Sequence, residues 1–146
     1  MIDAMSIEAI YTAESTATGG GRDGHVKSLD GRLDLETRPP KALGGSGDGT
    51  NPEQLLSAGD AACFLGALRL VAGRAKVALP DGTDVTVKIG IGRTAEGGFG
   101  LTGDIVAGLP GLDQKEADDL VEKAHHVCPY SNATRGNVDV GVSAKV

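Results

Sequence analysis

The sequence predicts an α+β fold in a single domain, residues 1–146. Three observations carry that expectation. Segments rich in β-branched residues lie on both sides of the chain's middle. A long run of Leu, Ala and Gly follows Asn51-Pro52-Glu53, and a second, amphipathic run follows Asp113. Strands grouped before and after helices, rather than strictly alternating with them, point to sheets that cover helices. A chain of 146 residues suits one domain and can bury a core.

Residues 7–18, "IEAIYTAESTAT", alternate in part and carry β-branched side chains, so they read as a strand. "GGGRDGH" then turns the chain. "HVKSLDGRLDLE" reads as two strands joined at Asp30-Gly31, a dipeptide that favours tight hairpin turns. "TRPPKALGGSGDGT" is a loop, because Pro39 and Pro40 cannot donate to a central ladder. Asn51 can cap a helix, Pro52 fits its first position and Glu53 suits the positive end of its dipole. That helix is expected to run to about Ala72. Leu55, Leu56, Ala58, Ala61, Ala62, Cys63, Phe64, Leu65, Ala67 and Leu68 make it apolar on every face, the pattern of a buried helix. Gly59 and Gly66 inside it imply close approach of another backbone.

"DVTVKIGIGR" alternates as a strand, and "GGFGLTGDIVAGL" is its expected antiparallel neighbour across "TAEGG". Asp113 and Glu116 form a capping-box signature for a second helix. Ala117, Leu120, Val121, Ala124 and Cys128 are its apolar stripe, and Pro129 is expected to end it. "NVDVGVSAKV" closes the chain as a strand. The expected order is βββαββαβ.

Large apolar side chains are scarce, with two Phe, two Tyr and no Trp, so Ala, Val, Leu and Gly must carry the packing. A core built from small residues gains from a second chain, and a dimer is expected. The net charge of −6 offers no basic stripe for nucleic acid. No apolar run is read as a membrane span, and "MIDAMSIEAIYTAE" lacks the pattern of a secretory signal, so a cytoplasmic protein is expected. Two cysteines are too few for a disulfide scaffold, which leaves a transient catalytic pair or two inert small hydrophobes.

Cys63 lies about three turns into its helix, beyond useful reach of the dipole. Reactivity there requires an external cation. Arg22, in "TGGGRDG", keeps its charge when buried and can fork onto a thiolate and a carboxylate together. Glu53 is a candidate partner for it as well as a first-turn carboxylate. Cys128 sits at a helix end bounded by proline, where the chain can shift more easily than in a helix middle. "GGSGDGTN" lacks the Lys-Ser/Thr of a phosphate loop. His125 and His126 point about 100° apart on one helix and have no second pair at zinc-ligand spacing. No Gly-x-Ser-x-Gly elbow is present, so a hydrolase finds no support.

Four stretches, "TATGGGRDGHV", "LDLETRPPKALGG", "GTNPEQLLSAGDAACFLGAL" and "HHVCPYSNATRGN", together resemble the organic hydroperoxide resistance (Ohr) branch of the Ohr/OsmC family. The resemblance runs in order from about Tyr11 to the C-terminus. It implies antiparallel sheets wrapped around central helices in an intertwined homodimer. It implies a thiol peroxidase for organic hydroperoxides that uses no metal, haem or flavin and is recycled by a lipoyl-type dithiol or a lipoylated protein. By the same resemblance Cys63 is the peroxidatic cysteine and Cys128 the resolving one. Arg22 is the thiolate-stabilising arginine and Glu53 the carboxylate that orients it. Two departures stand out. Asp60 occupies a position where the family carries an aromatic residue, and the loop with Ser46 and Asp48 is more polar than usual. Two alternatives share the fold: an OsmC-branch peroxidase with broader peroxide use, and a non-catalytic dimer that binds small apolar ligands. A redox sensor is a third reading, for which the acidic composition supplies no DNA surface.

Overall fold

The structure is a computed structural model that describes residues 6–146. The first five residues of the stretch read for a secretory signal lie outside it. The chain divides after Pro52 into two compact units.

The N-terminal unit is a three-stranded antiparallel sheet of β1 (Ser15–Gly19), β2 (Gly24–Ser28) and β3 (Asp34–Thr37), in that order. The strand expected over residues 7–18 is present only at its end. The reason is the length of β2: each of its residues from Gly24 to Ser28 already faces β1, and the Asp30-Gly31 turn then ends it. The turn forms as expected. Asp30 accepts from the Ser28 hydroxyl at 2.7 Å and from Arg32 N–H at 3.0 Å, and Gly31 takes φ 75°. The loop beyond β3 holds one 3₁₀ turn, Lys41–Leu43. Thr50 fastens its far end to β3, donating to the Glu36 carbonyl and accepting from Arg38 N–H, both at 2.9 Å.

The C-terminal unit holds the core. α1 (Pro52–Arg74) starts where Pro52 and Glu53 place it and runs two residues beyond the expected end. It is not buried on every face. Asp60, Phe64, Ala67, Leu68, Val71 and Ala72 form one buried stripe, while Ala58, Ala62, Gly66 and Leu70 are exposed opposite. By length and composition α1 could cross a membrane, although Asp60, Arg69 and its glycines interrupt the apolar run. Its buried stripe instead shares one core with Ile105, Ala107 and Leu109 and with Ala117, Leu120, Val121 and Ala124.

β4 (Asp84–Arg93) and β5 (Phe99–Gly108) form the expected antiparallel hairpin, with Val85 opposite Ala107 and Val87 opposite Ile105. Gly97, at φ 89°, allows the turn, and Thr94 Oγ1 accepts from Gly98 N–H at 3.0 Å. The closing strand β6 (Val140–Lys145) pairs parallel to β5, so the second sheet is mixed rather than antiparallel throughout. The physical reason is the connection: β5 and β6 are joined through helices, which return the chain to the same end of the sheet, as a parallel neighbour requires.

α2 (Gln114–Val127) is capped by Asp113, whose carboxylate accepts from Glu116 N–H at 3.2 Å. Its expected stripe of Ala117, Leu120, Val121, Ala124 and Cys128 is buried throughout. Pro129 ends α2 as expected, but it also starts a short helix, α3 (Pro129–Thr134), that was not expected.

Candidate active site

Cys63 and Cys128 come together within the C-terminal unit. Their sulfurs lie 3.4 Å apart, within hydrogen-bond reach of each other. Both are free thiols. A disulfide needs about 2.05 Å between sulfurs, so the gap closes with a small side-chain and backbone adjustment. Cys63 is half-buried in the middle of α1, and Cys128 is fully buried.

Cys128 sits at the proline-bounded helix end that the sequence indicates. It is the hinge between two helices and is tied to both. Its N–H donates to the Ala124 carbonyl at 2.9 Å, and its carbonyl accepts from Asn132 N–H at 3.0 Å. Its extended backbone, φ −66° and ψ 123°, is what a residue before proline adopts. A second tie crosses the hinge: His125 Nδ1 and the buried Ser131 hydroxyl are 2.9 Å apart. Burial, followed by the charges of Arg135 and His126, lowers the His125 pKa.

Tyr130, absent from the sequence reading, fixes the other side of the pair. Its backbone lowers the Cys63 pKa, and its ring packs on Gly59. A Cβ added at Gly59 would lie 2.9 Å from the Tyr130 hydroxyl oxygen. Gly59 therefore permits the close approach that the sequence implied, although the neighbour is a side chain and not a backbone. At Gly66, by contrast, no other group of the described chain lies within 4 Å of where a Cβ would be. The signal for Tyr130 was available in "CPYSN", since proline is as much a helix starter as a helix stopper.

The electrostatics around Cys63 favour the thiol. Burial raises its pKa most; the Tyr130 backbone lowers it, and the Cys128 hydrogen bond and the charges of Cys128 and Asp60 raise it further. Asp60 lies one turn earlier on the same face of α1. It is 5% exposed, its Oδ1 has no hydrogen-bond partner, and burial raises its pKa.

Glu53 lies in the first turn of α1 and is half-buried. Arg22 lies in the N-terminal unit, in the turn from β1 to β2. That turn needs its glycines: Gly19 and Gly21 take φ 67° and 74°, and a Cβ on Gly24 would meet the Thr18 carbonyl at 2.1 Å. Two residues not singled out from sequence hold it. The Thr37 hydroxyl accepts from Gly24 N–H at 2.9 Å and donates to the Gly21 carbonyl at 2.6 Å. Arg38 donates to the Gly24 carbonyl at 3.0 Å and pairs with Glu36 at 3.2 Å. The arginine-bearing turn is thus built to one shape. Among the described residues, no group of three or more His, Cys, Asp or Glu side chains is placed to hold a metal ion.

Comparison with known proteins identifies the family. Residues 45–143 match the model of the family described as OsmC-like protein. The organic hydroperoxide resistance protein of Xanthomonas axonopodis pv. citri is 52% identical over 134 residues, which is 91% of this chain and 93% of that protein. The crystal structure of an organic hydroperoxide resistance protein from Elizabethkingia anophelis is 52% identical, with a TM-score of 0.89 over 95% of this chain and 99% of that one. That of the organic hydroperoxide resistance protein OhrB of Bacillus subtilis is 43% identical, with a TM-score of 0.84 over 94% of this chain and all of that one (100%). The α+β fold, the paired cysteines on α1 and after α2, and these similarities lead to one assignment: the chain belongs to the OsmC-like family, in its organic hydroperoxide resistance branch.

Proposed function

We propose that this chain is a cysteine-based peroxidase that reduces organic hydroperoxides, with residues 1–146 acting as one functional domain. The observation that carries the reading is the 3.4 Å approach of Cys63 and Cys128 from distant parts of the chain. Two thiols this close, one half-buried and one enclosed, suit an attacking and a resolving pair. The names of the relatives support a role in resistance to organic hydroperoxides.

In this reading the Cys63 thiolate attacks the distal oxygen of ROOH. The O–O bond breaks, an S–O bond forms, and the alkoxide takes a proton and leaves as ROH. Cys63 becomes a sulfenic acid. The Cys128 thiol then condenses with it, water leaves, and a Cys63–Cys128 disulfide forms. A lipoyl-type dithiol, free or carried on a protein, reduces the disulfide by exchange and becomes a cyclic disulfide itself. Because burial holds Cys63 toward the thiol, a cation is needed to favour the thiolate. Arg22 is assigned that role, and Glu53 the role of orienting Arg22. An alkyl substrate gains about 0.8 kcal/mol for each CH₂ it buries, which favours alkyl and fatty-acid hydroperoxides over hydrogen peroxide. The chain acts as a homodimer in the cytoplasm, with a second copy covering the exposed small-residue face of α1.

Stopped-flow oxidation of the reduced protein by tert-butyl hydroperoxide and by hydrogen peroxide tests the reading. Wild type is expected to consume the alkyl hydroperoxide far faster and to yield the Cys63–Cys128 disulfide by mass spectrometry. Cys128→Ser should stop at sulfenic or over-oxidised Cys63, and Cys63→Ser should be inert. Equal rates with both peroxides would favour the broader OsmC-branch activity. Slow oxidation by both would return the protein to ligand binding.

A further inference from the structure

Asp60 is a buried acid that no other side chain explains. It is 5% exposed, and its Oδ1 has no hydrogen-bond partner among the described residues. A carboxylate in that state is destabilising, because nothing replaces the water it has lost. It lies three residues before Cys63 on one helical face, which puts the two Cβ atoms about 5–6 Å apart. The charge of Asp60 acts on Cys63.

The chemistry at Cys63 moves a proton twice. The thiol must lose one to become a nucleophile, and the leaving alkoxide, a strong base, must gain one. Besides Asp60, Tyr130 and the Cys128 thiol act on Cys63, and the proposed function already gives Arg22 and Glu53 the separate task of holding the thiolate. The Tyr130 backbone does not ionise in this range, and the Cys128 thiol is needed intact for the next step.

We propose that Asp60 is the proton shuttle of the peroxidatic step: its carboxylate takes the Cys63 thiol proton and then, as a carboxylic acid, delivers that proton to the departing alkoxide. The inference rests on Cys63 being the attacking thiol. In the first step Asp60 becomes neutral and Cys63 becomes a thiolate. In the second the thiolate sulfur forms a bond to the distal oxygen of ROOH, and the O–O bond breaks. The Asp60 proton then goes to the RO oxygen as its electron pair leaves. The sum is thiol plus ROOH giving sulfenic acid plus ROH, with Asp60 returned to carboxylate. Burial raises the Asp60 pKa, which makes the carboxylate a better base for the first transfer. The buried acid so formed also relieves the unfavourable negative charge.

The test compares two oxidants on the full-length protein, one whose leaving group needs a proton and one whose leaving group does not. tert-Butyl hydroperoxide releases an alkoxide, whereas peroxyacetic acid releases acetate, which is stable as the anion. Asp60→Asn is expected to slow Cys63 oxidation by tert-butyl hydroperoxide about 10²-fold, the lower end of general acid–base contributions. Oxidation by peroxyacetic acid should be slowed about ten-fold less, because it loses only the base for the thiol proton and not the acid for the leaving group. A purely structural role would slow both alike, and equal slowing, or none, overturns the shuttle. A second arm needs no variant. Wild-type rates across alkyl hydroperoxides of similar size should depend little on the acidity of the released alcohol, and a steep dependence overturns the proposal. Failure of the peroxidase reading itself would look different, because wild-type Cys63 would then resist both oxidants.

Discussion

At Cys63 the influences that hold the proton on sulfur outnumber those that release it. Burial, the Cys128 hydrogen bond and the charge of Asp60 act in one direction, and Tyr130 acts in the other. These neighbours therefore do not activate the thiol, and the proposed function assigns that task to a cation. Asp60 has a consequence of its own for stability. Burial raises its pKa above the usual 3.8, so the folded state binds its proton more tightly than the unfolded state does. The stabilising contribution is fully present below pH 3.8 and is lost as pH rises through the elevated folded value. At neutral pH Asp60 therefore opposes folding. Asp60→Asn is predicted to raise the melting temperature at pH 7, with the gain shrinking as pH falls toward the ordinary carboxylate range. Calorimetry across that range checks the sign, and a gain that grew toward acid pH would sink the argument.

At the scale of elements, the site depends on how α3 follows α2. Cys128 ends one helix, Pro129 begins the next, and the bend lets Tyr130 reach back over α1 to both Gly59 and Cys63. Gly59→Ala sets two effects against each other. It gains about 0.8–1.0 kcal/mol of helix propensity but places a methyl too close to the Tyr130 hydroxyl, so the ring must move. The movable end of a side chain gives way easily. Net stability is predicted to stay within about 1 kcal/mol of wild type, whereas disulfide formation should slow several-fold because the Tyr130 backbone shifts with its ring. Denaturant titration and quenched-flow thiol counting separate the two effects. Loss of stability with unchanged disulfide kinetics would mean that Tyr130 only packs.

For the molecule as a whole, the exposed face of α1 matters most. Ala58, Ala62, Gly66 and Leu70 recur at helical spacing, and Leu70 is 49% exposed. Small residues at such spacing let a second helix approach closely, and an apolar face left in water is unfavourable. The proposed homodimer removes it. Gly66→Leu, whose Cβ has open space around it, is predicted to leave the secondary structure intact while weakening dimerisation by about ten-fold or more. Sedimentation equilibrium reads this directly. An unchanged dimer would place the interface elsewhere, and a wild-type monomer would dispose of the dimer altogether.

Much of the architecture was legible in the sequence because local signals agreed with one another. Pro52-Glu53 started α1, Asp113 capped α2, the five apolar positions of α2 were buried as their spacing required, and Asp30-Gly31 and "TAEGG" turned the two hairpins. Cys63 and Cys128 were recognisable as a pair through their resemblance to a known family. Other features were decided only in three dimensions. The strand read over residues 7–18 shrank because pairing depends on the length of the partner strand. The parallel alignment of β6 depended on where the helices returned the chain, and α3 depended on a proline that both stops and starts a helix. The stripe of α1 that is buried was hidden because all its faces look apolar in sequence, and burial is a property of neighbours. The 3.4 Å between the two sulfurs and the unpartnered Oδ1 of Asp60 arise in the same way. A residue type limits what chemistry is possible, but distance and desolvation are set by what the rest of the chain packs around it.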